Sequence, residues 1–236
     1  MLLLAVSNAS AEGLLDAVEQ GNIKTLEKLL KSDTDPNFTD SKGNSLLYLA
    51  LVNGQVEAAL TLLKYGANPN SQNAYGAPVI ITAAGNGFHD VVNLLIKKGA
   101  DINARFKRYD NVTALMLAAQ DGHEKTVNAL LKKGAEVNAE TSNGDTALIA
   151  ACSRGNLSII KKLIKHGADV NTRSESGYSA LFVAISEGNE TLVELLLKNG
   201  ASVNVPDDNG DTPLELAERI KSPEIIDLLQ SAGAKK

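Results

Sequence analysis

The residues in this chain able to do chemistry are few, and their placement argues against a reaction centre. His89, His123 and His166 fall at different registers of an internal repeat, so they cannot line up as metal ligands, and neither His-Glu-x-x-His nor Cys-x-x-Cys occurs. Cys152, the one cysteine, sits beside Ala150 and Ala151, where a small apolar side chain packs; a nucleophilic thiolate needs an exposed, electropositive setting. A single cysteine forms no internal disulfide and leaves the redox compartment open. Gly85-Asn86-Gly87 lacks the third glycine and the preceding strand of a dinucleotide fingerprint, and no Walker loop or Gly-x-Ser-x-Gly elbow is present. No catalytic residue, metal or cofactor is therefore expected.

The segments that carry these residues are built for packing. Apolar residues are mostly Leu, Ala, Ile and Val, with no Trp, which suits short, close-packed helices better than sheets. The formal net charge is −5 over 236 residues with both signs interspersed, so nucleic acid is not an expected partner. No apolar run approaches the roughly 20 residues of a membrane-spanning helix. Residues 1–11, MLLLAVSNASA, hold a short apolar stretch and then Ala9-Ser10-Ala11, the small-x-small pattern of a secretory cleavage site, without a basic leader. They read as the end of a signal peptide or as an N-terminal tail. A periplasmic or secreted location is expected, with the cytoplasm as the alternative.

Gly-Ala recurs at Gly66-Ala67, Gly99-Ala100, Gly134-Ala135, Gly167-Ala168, Gly200-Ala201 and Gly233-Ala234, a period of 33 residues with one step of 35. A fixed spacing in this range marks a stacked solenoid. Thr146 and Thr212 are suited to cap helix N-termini, and Pro213 stands where a first-turn proline loses no hydrogen bond. Gly54, Gly87, Gly122, Gly155 and Gly188 end a first helix by turning left-handed. A second helix follows, as in Val91, Val92, Leu94, Leu95 and Ile96, closed by Gly99. Ala50, Ala83, Ala118, Ala151, Ala184 and Ala217 share one register, which lets neighbouring helices approach closely. One such unit has no core of its own; the next copy covers its apolar face. The end copies need a polar outer face, which Glu215, Glu218, Arg219 and Lys221 supply at one end and Glu12, Asp16, Glu19 and Gln20 at the other.

Asn209-Gly210-Asp211-Thr212-Pro213-Leu214 with Leu216-Ala217, Asn143-Gly144-Asp145-Thr146-Ala147-Leu148 with Ala150-Ala151, and Gly167-Ala168-Asp169-Val170-Asn171 resemble the ankyrin repeat. The resemblance covers nearly the whole chain. It implies an all-α solenoid of stacked helix-turn-helix units with short β-turn fingers, one domain over residues 12–236. The expected units are a capping pair at 12–39, repeats at 40–72, 73–107, 108–140, 141–173 and 174–206, and a capping repeat at 207–236. It further implies a non-enzymatic module, monomeric when unbound, that grips another protein. If exported, the chain resembles small periplasmic ankyrin proteins of bacteria, some of which mask an enzyme such as a cell-wall hydrolase. The alternative is a cytosolic scaffold or a host-directed effector.

Ankyrin proteins bind through a concave palm of finger tips and first-helix faces. Carried onto this sequence, the tips include Tyr75, Tyr109, Asp145 and Tyr178, and the first helices present Asn86, Asp121, Arg154 and Glu187. Tyrosine and arginine dominate interface hot spots, and three of the five tyrosines fall on tips. The two extra residues lie between Asn103 and Asn111, so one finger is expected to protrude. It carries Arg105, Phe106, Lys107, Arg108 and Tyr109, a basic and aromatic cluster expected to be exposed and to add nothing to the core. Glu175, Glu187, Asp207, Asp208 and Asp211 are expected to make the C-terminal part of the palm acidic.

Overall fold

The computed structural model describes residues 12–32 and 34–235; residues 1–11, with their expected signal-peptide end, lie outside them. The helices come in pairs. After α1 (12–19) follow α2 (Ile23–Leu30), α3 (Leu46–Val52), α4 (Val56–Lys64), α5 (Val79–Gly85), α6 (His89–Lys97), α7 (Ala114–Gln120) and α8 (Glu124–Lys132). The series continues with α9 (Ala147–Cys152), α10 (Leu157–Lys165), α11 (Ala180–Ser186), α12 (Glu190–Lys198), α13 (Pro213–Ile220) and α14 (Pro223–Ser231). Among the described residues four isolated antiparallel bridges, such as Gln72 with Pro78, close the bases of fingers. No helix of the described residues is long and apolar enough to cross a membrane.

Local chemistry sets each pair. The hydroxyls of Ser45, Thr146, Ser179 and Thr212 accept the backbone N–H three residues on, which satisfies one orphan donor of the first turn. Glu215 returns the favour to the Thr212 N–H at 2.7 Å, a complete capping box. The first helices stop at Gly54, Gly87, Gly122, Gly155 and Gly188, all at positive φ. In the last copy Lys221 holds the same left-handed conformation, φ 58°.

Packing joins the pairs into rows. The first helices stack in order from α3 to α13, and the second helices from α2 to α10 and again α12 on α14. The alanine register is what permits this approach: Ala50, Ala83, Ala118, Ala151, Ala184 and Ala217 are all 0% exposed. Large buried side chains such as Leu62, Leu95, Leu130 and Leu163 belong to one continuous core, each contributing roughly 1.5–3 kcal/mol on burial. At the ends, Glu12, Asp16, Glu19, Glu215 and Arg219 face solvent while Leu14, Val18 and Leu214 face the stack.

A ladder of asparagines ties every junction, and sequence reasoning missed it. Asn37, Asn70, Asn103, Asn138, Asn171 and Asn204 each accept, through Oδ1, a backbone N–H of the following copy at 2.7–2.9 Å. Asn70, Asn138, Asn171 and Asn204 also donate to the next copy's Gly carbonyl, as from Asn70 to Gly99 at 3.0 Å. Their recurrence one repeat apart was the available signal.

Candidate functional site

The finger tips and the first helices form one surface, and ordinary fingers on it share a device. Asp40 Oδ1 accepts the N–H groups of Lys42 and Asn44 at 2.9 and 2.8 Å, and Gly43 turns the tip at φ 87°. Asn73 and Asp207 act alike. The finger before α7 cannot do this. Counted back from the helix cap, Arg108 stands where Asp40, Asn73 and Asp207 stand, and a guanidinium has no acceptor.

The two extra residues supply another turn. Val112 N–H donates to Tyr109 O at 3.0 Å across Asp110 and Asn111, whose φ values of 54° and 56° are left-handed. Asp and Asn tolerate that region, and two positive φ values in succession match the twist of a hairpin. Phe106 N–H donates to Val112 O at 3.0 Å below it. The length of this finger predicts that it protrudes, but it is bonded to its neighbour. Asp110 O accepts from Ser142 N, Asp110 Oδ2 accepts from Asn143 Nδ2 at 2.7 Å, and Asn111 Nδ2 donates to Ser142 Oγ at 2.9 Å. It leans on the next finger.

The basic and aromatic cluster divides its labour. Phe106 is partly buried against the core, a correction to its expected exposure: its backbone pairs with Val112, which turns the ring inward. Tyr109 is 63% exposed and stacks over Phe106 with ring centres 6.1 Å apart. Arg105 is likewise not a free tip charge, because Nη1 donates to Glu140 O at 2.7 Å and Nη2 pairs with Glu136 at 3.8 Å. Arg173 makes the matching staple to Pro206 O and Asp208. Lys107 and Arg108 are exposed, and the Arg108 guanidinium lies 5.6 Å from the Tyr75 ring centre, joining two fingers.

Tyr75 and Tyr178 are 64% and 42% exposed, and Tyr178 tilts against Phe182. Asn86, Asp121, Arg154 and Glu187 stand exposed at the ends of α5, α7, α9 and α11, spread along the stack rather than gathered at one point. The expected acidic C-terminal part is largely consumed within the chain. Asp207 is buried in its own finger, Asp208 pairs with Arg173, and Asp211 pairs with Arg219.

What the structure does bring together is a cleft of about 400 Å³ between the third and fourth copies. Val112, Met116, Leu117, Ile149 and Ala150 give it an apolar wall, Gln120, Thr141, Thr146 and Ser153 add uncharged polar groups, and Tyr109, Asp110 and Asp145 form its finger side. Sequence reasoning placed Tyr109 and Asp145 on tips and missed the apolar lining, although Met116 and Ile149 share a register with Ile81 and Phe182. Burial raises the Asp145 carboxyl above the usual aspartate range, and the neighbouring Asp110 carboxylate adds to it.

The remaining chemistry-bearing residues are structural. Cys152 is buried, and that burial pushes its thiol up to about 12. The His123 ring Nε2 lies 2.8 Å from Gly85 O and the ring sits beneath Gly87, so it spans two copies. His166 bonds to Lys162 O and His89 to Asp90. Among the described residues no cluster of three or more His, Cys, Asp or Glu could hold a metal.

Family models for ankyrin repeats match this chain over residues 14–106, 105–174 and 163–217. No curated protein matches it. Among solved structures it is similar to the ankyrin repeat domain of Bcl-3, described as a unique member of the IkappaB protein family. The two share 30% identity, covering 92% of this chain and 97% of that one, with a TM-score of 0.79.

Proposed function

The chain belongs to the ankyrin-repeat family, whose fold is a protein–protein interaction module, and on that premise we propose that it grips one folded partner through its finger tips and first-helix faces. The observation that carries this reading is the row of exposed tyrosines, Tyr75, Tyr109 and Tyr178, on three separate fingers. Large aromatic side chains left this exposed have area to give to a partner, and tyrosine gives it at little entropy. The unbound chain is a monomer in this reading.

Its finer form is a periplasmic inhibitor or immunity protein that masks an enzyme such as a cell-wall hydrolase. The support is the sequence pattern of residues 1–11 together with analogy to small exported ankyrin proteins, a fold-level argument. Two experiments test it. Affinity capture with the tagged chain and mass spectrometry, followed by titration of the captured protein, should give a stoichiometric complex that the combined substitutions Tyr75→Ala, Arg108→Ala and Tyr109→Ala weaken at least tenfold. Unchanged affinity removes the finger tips from the reading. Cell fractionation with N-terminal sequencing should return a mature chain beginning near Glu12 in the periplasm; retention of Met1 in the cytosol ends the export reading and favours a scaffold.

A further inference from the structure

We infer that the cleft between the third and fourth copies receives an arginine side chain projecting from the partner protein. The inference deepens the binding-module reading and rests on it. Three features of the cleft carry it. The apolar part of its wall, Met116 and Leu117 on α7 with Ile149 and Ala150 on α9, suits an aliphatic stem, while Gln120, Thr141, Thr146 and Ser153 add uncharged polar groups to the lining. At its finger side stand two carboxylates, Asp110 and Asp145. Asp110 accepts only from Asn143 Nδ2 among side chains, and among the described residues neither carboxylate forms an ion pair. Beside them stands the Tyr109 ring, 63% exposed.

An aliphatic stem ending in a cation fits all three features, and a planar guanidinium fits better than an ammonium. It can offer separate N–H groups to two carboxylates and stack on the tyrosine face, neither of which a compact point charge does as well. Both arginines of the long finger are engaged elsewhere: Arg105 is held by Glu140 and Glu136, and Arg108 lies over Tyr75. The half-buried Asp145 carboxylate beside the exposed Asp110 carboxylate is an electrostatic load in the free protein, and burial followed by the Asp110 charge raises Asp145, a load that an incoming cation relieves.

The test uses the full chain with methyl-labelled Met116, Leu117 and Ile149, titrated with N-acetyl-arginine amide, its lysine counterpart and the neutral isostere N-acetyl-citrulline amide. The arginine amide should shift these methyl signals saturably in the millimolar range. The lysine amide should bind at least threefold more weakly, and the citrulline amide should give no saturable shift. Asp110→Asn with Asp145→Asn should weaken arginine-amide binding at least tenfold without lowering the melting temperature. Absence of saturable shifts, equal binding of the citrulline or lysine compound, or insensitivity to the double substitution overturns the inference. With a captured partner in hand, affinity that ignores Asp145→Asn overturns the arginine cleft and leaves the binding module standing. Failure to obtain any complex, beside intact arginine-amide binding, does the reverse.

Discussion

Replacing Phe106 and Tyr109 by alanine, one at a time, separates the core of the long finger from its exposed tip. Full burial makes a Phe→Ala change cost about 3–5 kcal/mol. Phe106 is only partly buried, packing against the core from its edge, so roughly half of that, about 2 kcal/mol, is expected. Tyr109 is 63% exposed and its contact with Phe106 is a single stack, worth about 0.5–1 kcal/mol. For a chain of this length those figures correspond to melting temperatures lower by about 4–8 °C for Phe106→Ala and about 1–4 °C for Tyr109→Ala. Calorimetry or a urea titration on the two variants measures the difference. Affinity for a captured partner should run the other way, with Tyr109→Ala losing about tenfold, or 1.4 kcal/mol, through direct contact. Equal destabilisation by the two substitutions, or a larger loss from Tyr109→Ala, would refute the division of labour.

Thr126 in α8 buries a hydroxyl with no hydrogen-bond partner, at the register where other copies carry Ala58, Val91, Ile159, Leu192 and Ile225. Thr126→Val should therefore stabilise the chain by about 1 kcal/mol in a urea titration, and a loss would mean that the hydroxyl is satisfied. Lys221→Gly relieves a left-handed backbone where other first helices end in glycine, and a gain of about 0.5–1 kcal/mol is expected; a lower melting temperature would show that the lysine side chain stabilises the cap. Cys152, buried with its thiol pushed up to about 12, should resist maleimide at pH 8 in the native chain and react readily in urea. Rapid native labelling would place it at the surface.

Much of this protein is legible in its sequence because a repeat states each rule several times. The caps at Thr146 and Thr212, the stops at Gly54 and its equivalents, and the alanine register are local or periodic demands, and a residue type alone can meet or fail them. The extra length after Asn103 was visible for the same reason. The destination of its side chains was not, since that depends on which neighbours they meet. Arg108 bars the turn used by other fingers, Asp110 and Asn111 build a different one, and the resulting pairing of Phe106 with Val112 packs one ring half-buried against the core and leaves Tyr109 exposed. Likewise Arg105, Asp208 and Asp211 look like free charges along the chain and are partnered across it, with Glu136, Arg173 and Arg219. The sequence by itself determined the family, the stack and the one irregular finger. Only the tertiary structure decided which of that finger's groups are spent on holding the stack and which stay exposed beside the cleft that Asp110 and Asp145 border, because contacts between copies are set by geometry some 30 residues apart in the chain, roughly one repeat period.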